Sequence, residues 1–254
     1  MSAPLLRVEG LTKRFGGVVA ADSVALDLAA GEFHAVIGPN GAGKSTLVAL
    51  LCGETAPDGG SIRFDGGDIT RYAADRRSRL GLARSFQISS LFADFTALDN
   101  VALAVQAHAG HSFYFWRDAR CDPVLREPAM ASLAAVGLEA RAGTRVDRLS
   151  HGEHRQLEIA VALASKPRLL LLDEPMAGLG SDETARMTAL LQELKGAITV
   201  LLIEHDMETV FALADRITVL VYGRVIASGD PAAIRADAAV REAYLGEQDA
   251  HAGA

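Results

Sequence analysis

Phe33-His-Ala-Val-Ile37-Gly38-Pro39-Asn40-Gly41-Ala42-Gly43-Lys44-Ser45-Thr46 is the stretch on which the fold turns. A β-rich run of five residues leads into the pattern G-x-x-x-x-G-K-[ST], and Thr46 to Cys52 then reads as helix. Strand, glycine loop and helix in that order aim successive backbone N–H groups at an anion, and the helix N-terminus adds its partial positive charge. Glycines let the backbone close on phosphate oxygens, Lys44 is placed to reach the β- and γ-phosphates, and the Ser45 hydroxyl is placed for Mg²⁺. The loop from Gly38 to Thr46 is therefore expected to bind a nucleoside triphosphate. A Gly-rich turn that merely joins strand to helix is the plain rival.

Upstream, Leu5 to Val8 and Val24 to Leu28 are further β-rich runs, with a turn signal at Gly16-Gly17, and Ser61 to Asp65 alternates with Ile62 and Phe64 on one face. From about Ser89 to Ala164 the chain is Ala/Leu-rich at helical spacing. An α/β texture returns at Leu169 to Leu172, a continuous apolar run of the kind buried on both faces of a parallel sheet. Ser181 is predicted to cap a helix with Asp182 and Glu183 in its first turn, Met187, Leu190, Leu191 and Leu194 on its apolar face, and Gly196 closing it. Ile198 to Ile203 reads as a second buried strand, and Arg216 to Ser228 as a hairpin turning at Tyr222-Gly223. Asp230-Pro231 opens a last helix before a small polar tail after Gly246.

Composition excludes several classes. With 254 residues, half of them hydrophobic, the chain can bury a full core, and neither disorder nor a disulfide-stapled scaffold fits. A net charge of -7 argues against a protein that wraps duplex nucleic acid. Arg76-Arg77-Ser78-Arg79 is the best local nucleic-acid candidate, and a solvated helix face is the plainer account. Cys52 and Cys121 form no metal or disulfide pattern. The start of the chain carries no secretory pattern, and the longest apolar runs fall far short of the roughly 20 residues that span a bilayer.

Asp173 and Glu174 end the Leu169 run, where open α/β sheets bind ligands. Asp173 is expected to hold Mg²⁺, and Glu174 to orient or deprotonate an attacking water. A solvated acidic turn is the bland alternative. Further pieces follow in order: Phe15 in the first hairpin, Gln87 in Arg84-Ser-Phe-Gln87, Leu149-Ser150-His151-Gly152-Glu153 opening a helix, and His205 in Ile203-Glu-His205-Asp. Taken with the phosphate loop and the acid pair, the chain resembles the nucleotide-binding subunit of ABC transporters over nearly its whole length.

That resemblance implies an ATP-hydrolysing α/β protein with a P-loop (RecA-like) core, an N-terminal antiparallel β subdomain and an inserted helical subdomain. The expected boundaries are 1–88 and 165–229 for the core with its β subdomain, 89–164 for the helical insertion and 230–254 for a C-terminal extension. It implies ATP and Mg²⁺ as ligands, with Phe15 stacking on adenine and Gln87 sensing metal and water. Ser150 and Gly152 would reach the γ-phosphate bound by an opposite subunit, and His205 the γ-phosphate of its own site, so that Lys44, Gln87, Glu174 and His205 form the catalytic set. Each has a structural rival: Phe15 as core, Gln87 as a loop residue, Ser150-x-x-Glu153 as a capping box, and His205 at a strand end.

Two departures stand out. The family's Leu-Ser-Gly-Gly-Gln has His151 and Glu153 at its third and fifth places, and Gly180 stands where Asp is usual. His151 adds a titratable group, and the Glu153 carboxylate is expected to turn away or back onto its own cap. His151 and His154, three apart, make a weak metal pair. Within the family, Ala83-Arg-Ser-Phe-Gln87, Leu157-Glu-Ile-Ala160, Ala177-Gly-Leu179, Ile203-Glu-His-Asp-Met207 and Ala243-Tyr-Leu-Gly-Glu247 resemble the ATPase of branched-chain or hydrophobic amino-acid importers, while Ser150-His151-Gly152 resembles the urea and short-amide branch. The implied partners are a second cassette, commonly a different chain, two permease subunits and, indirectly, a solute-binding protein, at the cytoplasmic face of the membrane, with no nucleic acid. A soluble regulatory or nucleic-acid-linked ATPase is the rival from another class. Phe113-Tyr-Phe-Trp116-Arg117 holds the only Trp and is either subdomain core or a partner surface.

Overall fold

The computed structural model describes residues 3–85, 91–109 and 122–243. Strands β1 (Leu6–Phe15) and β2 (Val18–Leu28) form a hairpin across Gly16-Gly17, with Phe15 opposite Val18. Both exceed the hydrophobic runs that announce them, because cross-strand pairing with register shifts carries the polar outer halves, including Lys13 opposite Ala21 and Arg14 opposite Val19. The chain continues through β3 (Phe33–Ile37), α1 (Lys44–Cys52), β4 (Gly59–Phe64) and the short β5 (Gly67–Asp68). β1 sits between β2 and β4, giving an antiparallel sheet in the order β2-β1-β4-β5. Ile62 and Phe64 of β4 are buried, as their alternation predicts.

After α2 (Ala74–Arg79) and β6 (Leu82–Arg84) comes a helical layer of α3 (Ala97–Ala109), α4 (Pro123–Ala134) and α5 (His151–Leu163). Asp122 caps α4 by accepting from the Val124 N–H, with Pro123 in the first turn. The α/β alternation then resumes with β7 (Leu169–Asp173), α6 (Ser181–Leu194), β8 (Thr199–Ile203) and α7 (Met207–Leu213). The chain proceeds to the hairpin β9 (Arg216–Val221) and β10 (Arg224–Gly229), and to α8 (Pro231–Ala236). The hairpin turns at Tyr222-Gly223, both left-handed, and Asp230 caps α8 by accepting from the Ala233 N–H. The second sheet runs β10-β9-β3-β8-β7-β6 and is parallel except for β10.

The apolar runs are continuous because both faces of this sheet are covered. Leu169 and Leu171 of β7 pack with Leu47, Leu50 and Leu51 of α1 and with Leu6 and Leu28 of the antiparallel sheet. Leu170 and Leu172 pack on the other side with Leu157 of α5, Val101 of α3 and Leu133 of α4. Each such side chain removed from water contributes roughly 1.5–3 kcal/mol.

Two expectations need correction. The cap of α6 is Gly180, and Ser181 is already the first helical residue. Arg77 is not part of a solvated basic face. It is 1% exposed, and its guanidinium donates to the carbonyls of Leu50 and Leu51 (2.7 Å each), Tyr72 (2.9 Å) and Thr70 (3.0 Å). The first two carbonyls belong to the last turn of α1, where Leu50 also accepts from the Gly53 N–H at 3.3 Å, so Arg77 adds a tertiary cap to that helix. Arg76 and Arg79 stay exposed, and Arg76 lies over the Tyr72 ring at 3.5 Å. Phe113 to Arg117 and the residues after Ala243 lie outside the described residues.

Candidate functional site

β3, β8 and β7 are adjacent, parallel and in register, with Val36 beside Ile203 and Ile203 beside Asp173. The segments that leave these strands therefore emerge together at the carboxyl edge of the sheet. They carry Gly38 to Ser45, Glu204-His205 and Asp173-Glu174 respectively.

The loop from Gly38 to Gly43 is closed by backbone contact. A Cβ on Gly38 would stand 2.0 Å from the Leu220 carbonyl oxygen, and one on Gly43, which is left-handed at φ 102°, would stand 2.2 Å from that of Ala20. The Gly223 N–H donates to the Ala42 carbonyl, and the Asp22 N–H to that of Gly223 (2.8 Å each), so β2 and the β9–β10 turn brace the loop. Lys44, the first residue of α1, is buried, and its ammonium donates to the carbonyls of Gly38 and, at 3.0 Å, Pro39. Ser45 and Thr46 follow in the first turn, where helix N–H groups are free of internal partners. Asn40 and Gly41 form the outer part of the loop.

Asp173 is almost fully buried and accepts from Arg84 at 3.0 Å, while Arg84 also donates twice to Glu54 at 2.7 Å. Burial pushes the Asp173 carboxyl above its ordinary value, against the pull of Arg84. Glu174 is left-handed (φ 49°), and its N–H donates to the Ile203 carbonyl at 2.9 Å. Its carboxylate is partly exposed, with Oε1 4.0 Å from Nδ1 of the exposed His205. Glu204 is wholly buried and accepts from the N–H groups of Met176 (2.9 Å) and His205 (3.1 Å). Cys52, beneath this cluster, has its thiol pushed up to about 12 by burial, which leaves it protonated and unreactive.

Ser150 and Gly152 belong to a separate corner at the start of α5. Ser150 accepts from the Glu153 N–H at 3.2 Å, and Glu153 accepts from the Ser150 N–H at 2.8 Å and from Arg141 at 2.8 Å. The carboxylate of Glu153 turns back onto its own cap, and the capping-box reading is correct without displacing any other. Gly152 N–H donates to Glu183 (3.2 Å), whose other oxygen accepts from Gly180 (3.3 Å), and His151 Nε2 lies 3.4 Å from the Ala177 carbonyl. The start of α5 is thereby tied to the loop that follows the acid pair. Gly180 has ordinary extended geometry at the cap of α6.

Phe15 is half-exposed at the tip of the β1–β2 hairpin, which overturns the core reading. It pairs with Val18, two residues from the Ala20 carbonyl against which Gly43 packs, and Lys13 lies 5.5 Å from its ring. Gln87 lies outside the described residues. Arg84, Glu183 and Glu204 carry no site role in the sequence reading, where Glu183 is only a first-turn residue of its helix. For Glu204 a signal existed, since a carboxylate directly follows the apolar run Val200 to Ile203.

The ligand chemistry fits the residues present. The phosphate loop is a cradle that a Cβ at Gly38 or Gly43 would fill, and Ser45 and Asp173 are the hard oxygen donors Mg²⁺ prefers. Among the described residues no cluster of three His, Cys, Asp or Glu side chains could hold a metal unaided. Fold and site together define a P-loop nucleotide-binding protein with an inserted helical layer.

Comparison with known proteins narrows the class. A model of the ABC transporter family matches residues 21–177, and one described as a branched-chain amino acid ATP-binding cassette transporter matches residues 224–250. Among named relatives, the high-affinity branched-chain amino acid transport ATP-binding protein BraF of Pseudomonas aeruginosa is 41% identical, covering 97% of this chain and all of that protein. LivG of Escherichia coli, which carries the same description, is 38% identical at the same coverage. A nucleotide-free ATP-binding cassette from an ABC transporter superposes with a TM-score of 0.85 at 28% identity, covering 95% of this chain and 98% of that one. An ATP-binding cassette of an ABC transporter in its ADP conformation gives 0.84 at 28%, covering 96% and 100%. The chain belongs to the ABC transporter family, as an ATP-binding subunit.

Proposed function

We propose that this chain hydrolyses ATP to power an importer of branched-chain or other hydrophobic amino acids. The carrying observation is the shared sheet edge, where the phosphate loop, Asp173-Glu174 and His205 emerge from three neighbouring strands. The full-length likeness to BraF and LivG, together with the match at residues 224–250, supports the cargo class.

In this reading the N–H groups of Gly38 to Thr46 and the Lys44 ammonium bind the phosphates, and Phe15 stacks on adenine. Mg²⁺, held by Ser45, Asp173 and Gln87, would neutralise charge on the β- and γ-phosphates. Glu174 orients water for in-line attack and takes up its proton, while His205 contacts the γ-phosphate. Arg84 holds Asp173 in place. Ser150 and Gly152 serve the nucleotide of a second cassette, most simply a different chain, with two permease subunits completing the assembly at the cytoplasmic face of the membrane. No helix among the described residues is long and apolar enough to cross a membrane, so the span is assigned to those partners. Hydrolysis and reopening would be passed to the permease subunits through the Gln87 region, and a cleft of about 290 Å³ lined by Glu54, Ser78, Arg84, Leu91, His108 and Glu158 supports a contact surface on this side of the cassette.

The Lys44→Ala variant should lose ATP binding, and host cells carrying it should lose uptake of labelled leucine while urea and short-amide uptake persist. Selective loss of urea or amide uptake would move the cargo to that branch. Unchanged uptake of all three would overturn the importer reading for these solutes.

A further inference from the structure

The turn after the acid pair has an unusual backbone economy. Pro175 has no N–H, so Glu174 and Met176 supply the donors on either side of it, and both point at the end of β8. The Glu174 N–H donates to the Ile203 carbonyl at 2.9 Å, and the Met176 N–H to Glu204 Oε1 at 2.9 Å. The other carboxylate oxygen of Glu204 accepts from the His205 N–H at 3.1 Å, and Asp206 also contributes a backbone hydrogen bond. One wholly buried side chain therefore spans two loops, one carrying Glu174 and the other His205.

We propose that Glu204 is a positioning residue for hydrolysis, its carboxylate setting the spacing between Glu174 and His205. This rests on the roles given to those two residues above. Their side chains stand 4.0 Å apart, just beyond hydrogen-bond reach, so a small shift of either loop decides whether they act on one water and one phosphate together. A carboxylate suits this position because it offers two acceptor oxygens to backbone donors arriving from both loops. It contacts neither loop's reactive side chain within hydrogen-bond distance, its Oε2 being 3.7 Å from His205 Nδ1. Burial of such a group is costly unless its lone pairs are filled, and here they are filled by main chain alone.

The test compares Glu204→Gln and Glu204→Ala with wild type in the full chain, alongside Glu174→Gln. Turnover, KM for ATP and equilibrium binding of a fluorescent ATP analogue are measured. Gln keeps one acceptor and turns an NH₂ toward a donor. Turnover should accordingly fall about tenfold in Glu204→Gln and about a hundredfold in Glu204→Ala, the loss growing with the number of backbone hydrogen bonds removed. Analogue affinity should stay within about twofold of wild type, because the phosphate loop is untouched. Adding Glu204→Gln to Glu174→Gln should cost little more than Glu174→Gln alone.

Wild-type turnover in Glu204→Gln, with Glu174→Gln inactive, would overturn the positioning role and leave the catalytic assignment standing. So would parallel losses of turnover and analogue affinity, which mark a general structural defect. Full activity in Glu174→Gln would remove the assignment itself, and this inference with it. Should Glu204→Ala fail to fold, the Glu204→Gln comparison carries the decision alone.

Discussion

Arg77 shows how far a single residue can depart from what its neighbours suggest. In sequence it is one of three arginines in four positions, and the pattern reads as a solvated basic helix. In the fold it is buried and capped onto four carbonyls, two of them at the end of the helix that begins with the phosphate loop. Removing it takes a charged donor from each of those acceptors and opens a cavity, and Arg77→Ala should cost about 3 kcal/mol or more in a urea unfolding titration. Arg76→Ala, which loses an exposed stack on Tyr72 and a hydrogen bond to its hydroxyl at 2.9 Å, should cost about 1 kcal/mol or less. Equal small losses would show that the carbonyls find other partners. Neutralising Arg77 is for this reason no test of nucleic-acid binding, since it would act through folding.

Helix α5 is legible from its own sequence. Ser150 and Glu153 exchange hydrogen bonds across the first turn, and Arg141 adds an ion pair at 2.8 Å. Burial works against ionisation of Glu153, but Arg141 and the Ser150 N–H prevail and hold its carboxyl below the ordinary 4.5. A lowered folded value means that this stabilisation is complete above 4.5 and is lost as pH falls through the folded value. The urea midpoints of wild type and Glu153→Ala should therefore differ above 4.5 and converge on acidification. A gap independent of pH would assign the effect to helix propensity. What the helix's sequence did not announce is its tie to α6, because Glu183 reaches Gly152 from 31 residues away.

At the scale of the molecule, two sites are built on opposite logic. The phosphate loop, acid pair and His205 are gathered by neighbouring parallel strands, whereas Ser150 and Gly152 are held at the head of α5 against the loop after the acid pair. That separation supports service to a second cassette. Glu174→Gln, which should bind ATP but turn it over slowly, is expected to accumulate as a closed pair of cassettes with ATP present, seen as a doubled mass by light scattering. If the natural pair is a heterodimer, the partner chain must be present. Placing Ser150→Arg on that background should abolish the doubling while leaving analogue binding intact. Doubling that survives Ser150→Arg would exclude this corner from the contact.

Features whose parts are contiguous are legible in the chain alone. The phosphate loop lies within nine residues, the acid pair closes its own apolar strand, the hairpins turn on Gly16-Gly17 and Tyr222-Gly223, and α5 is capped by Ser150 and Glu153 at its own first turn. Local backbone preference and hydrophobic period suffice there. The roles of Arg77, Arg84 and Glu204 come from the assembled fold, since they meet partners 26, 89 and 28 residues away. Nothing in the spacing of such residues reports which carbonyl, carboxylate or N–H they will meet. Buried polar groups must find partners, but the partner is chosen by how strands and helices stack, and that is settled only when the sheet is assembled.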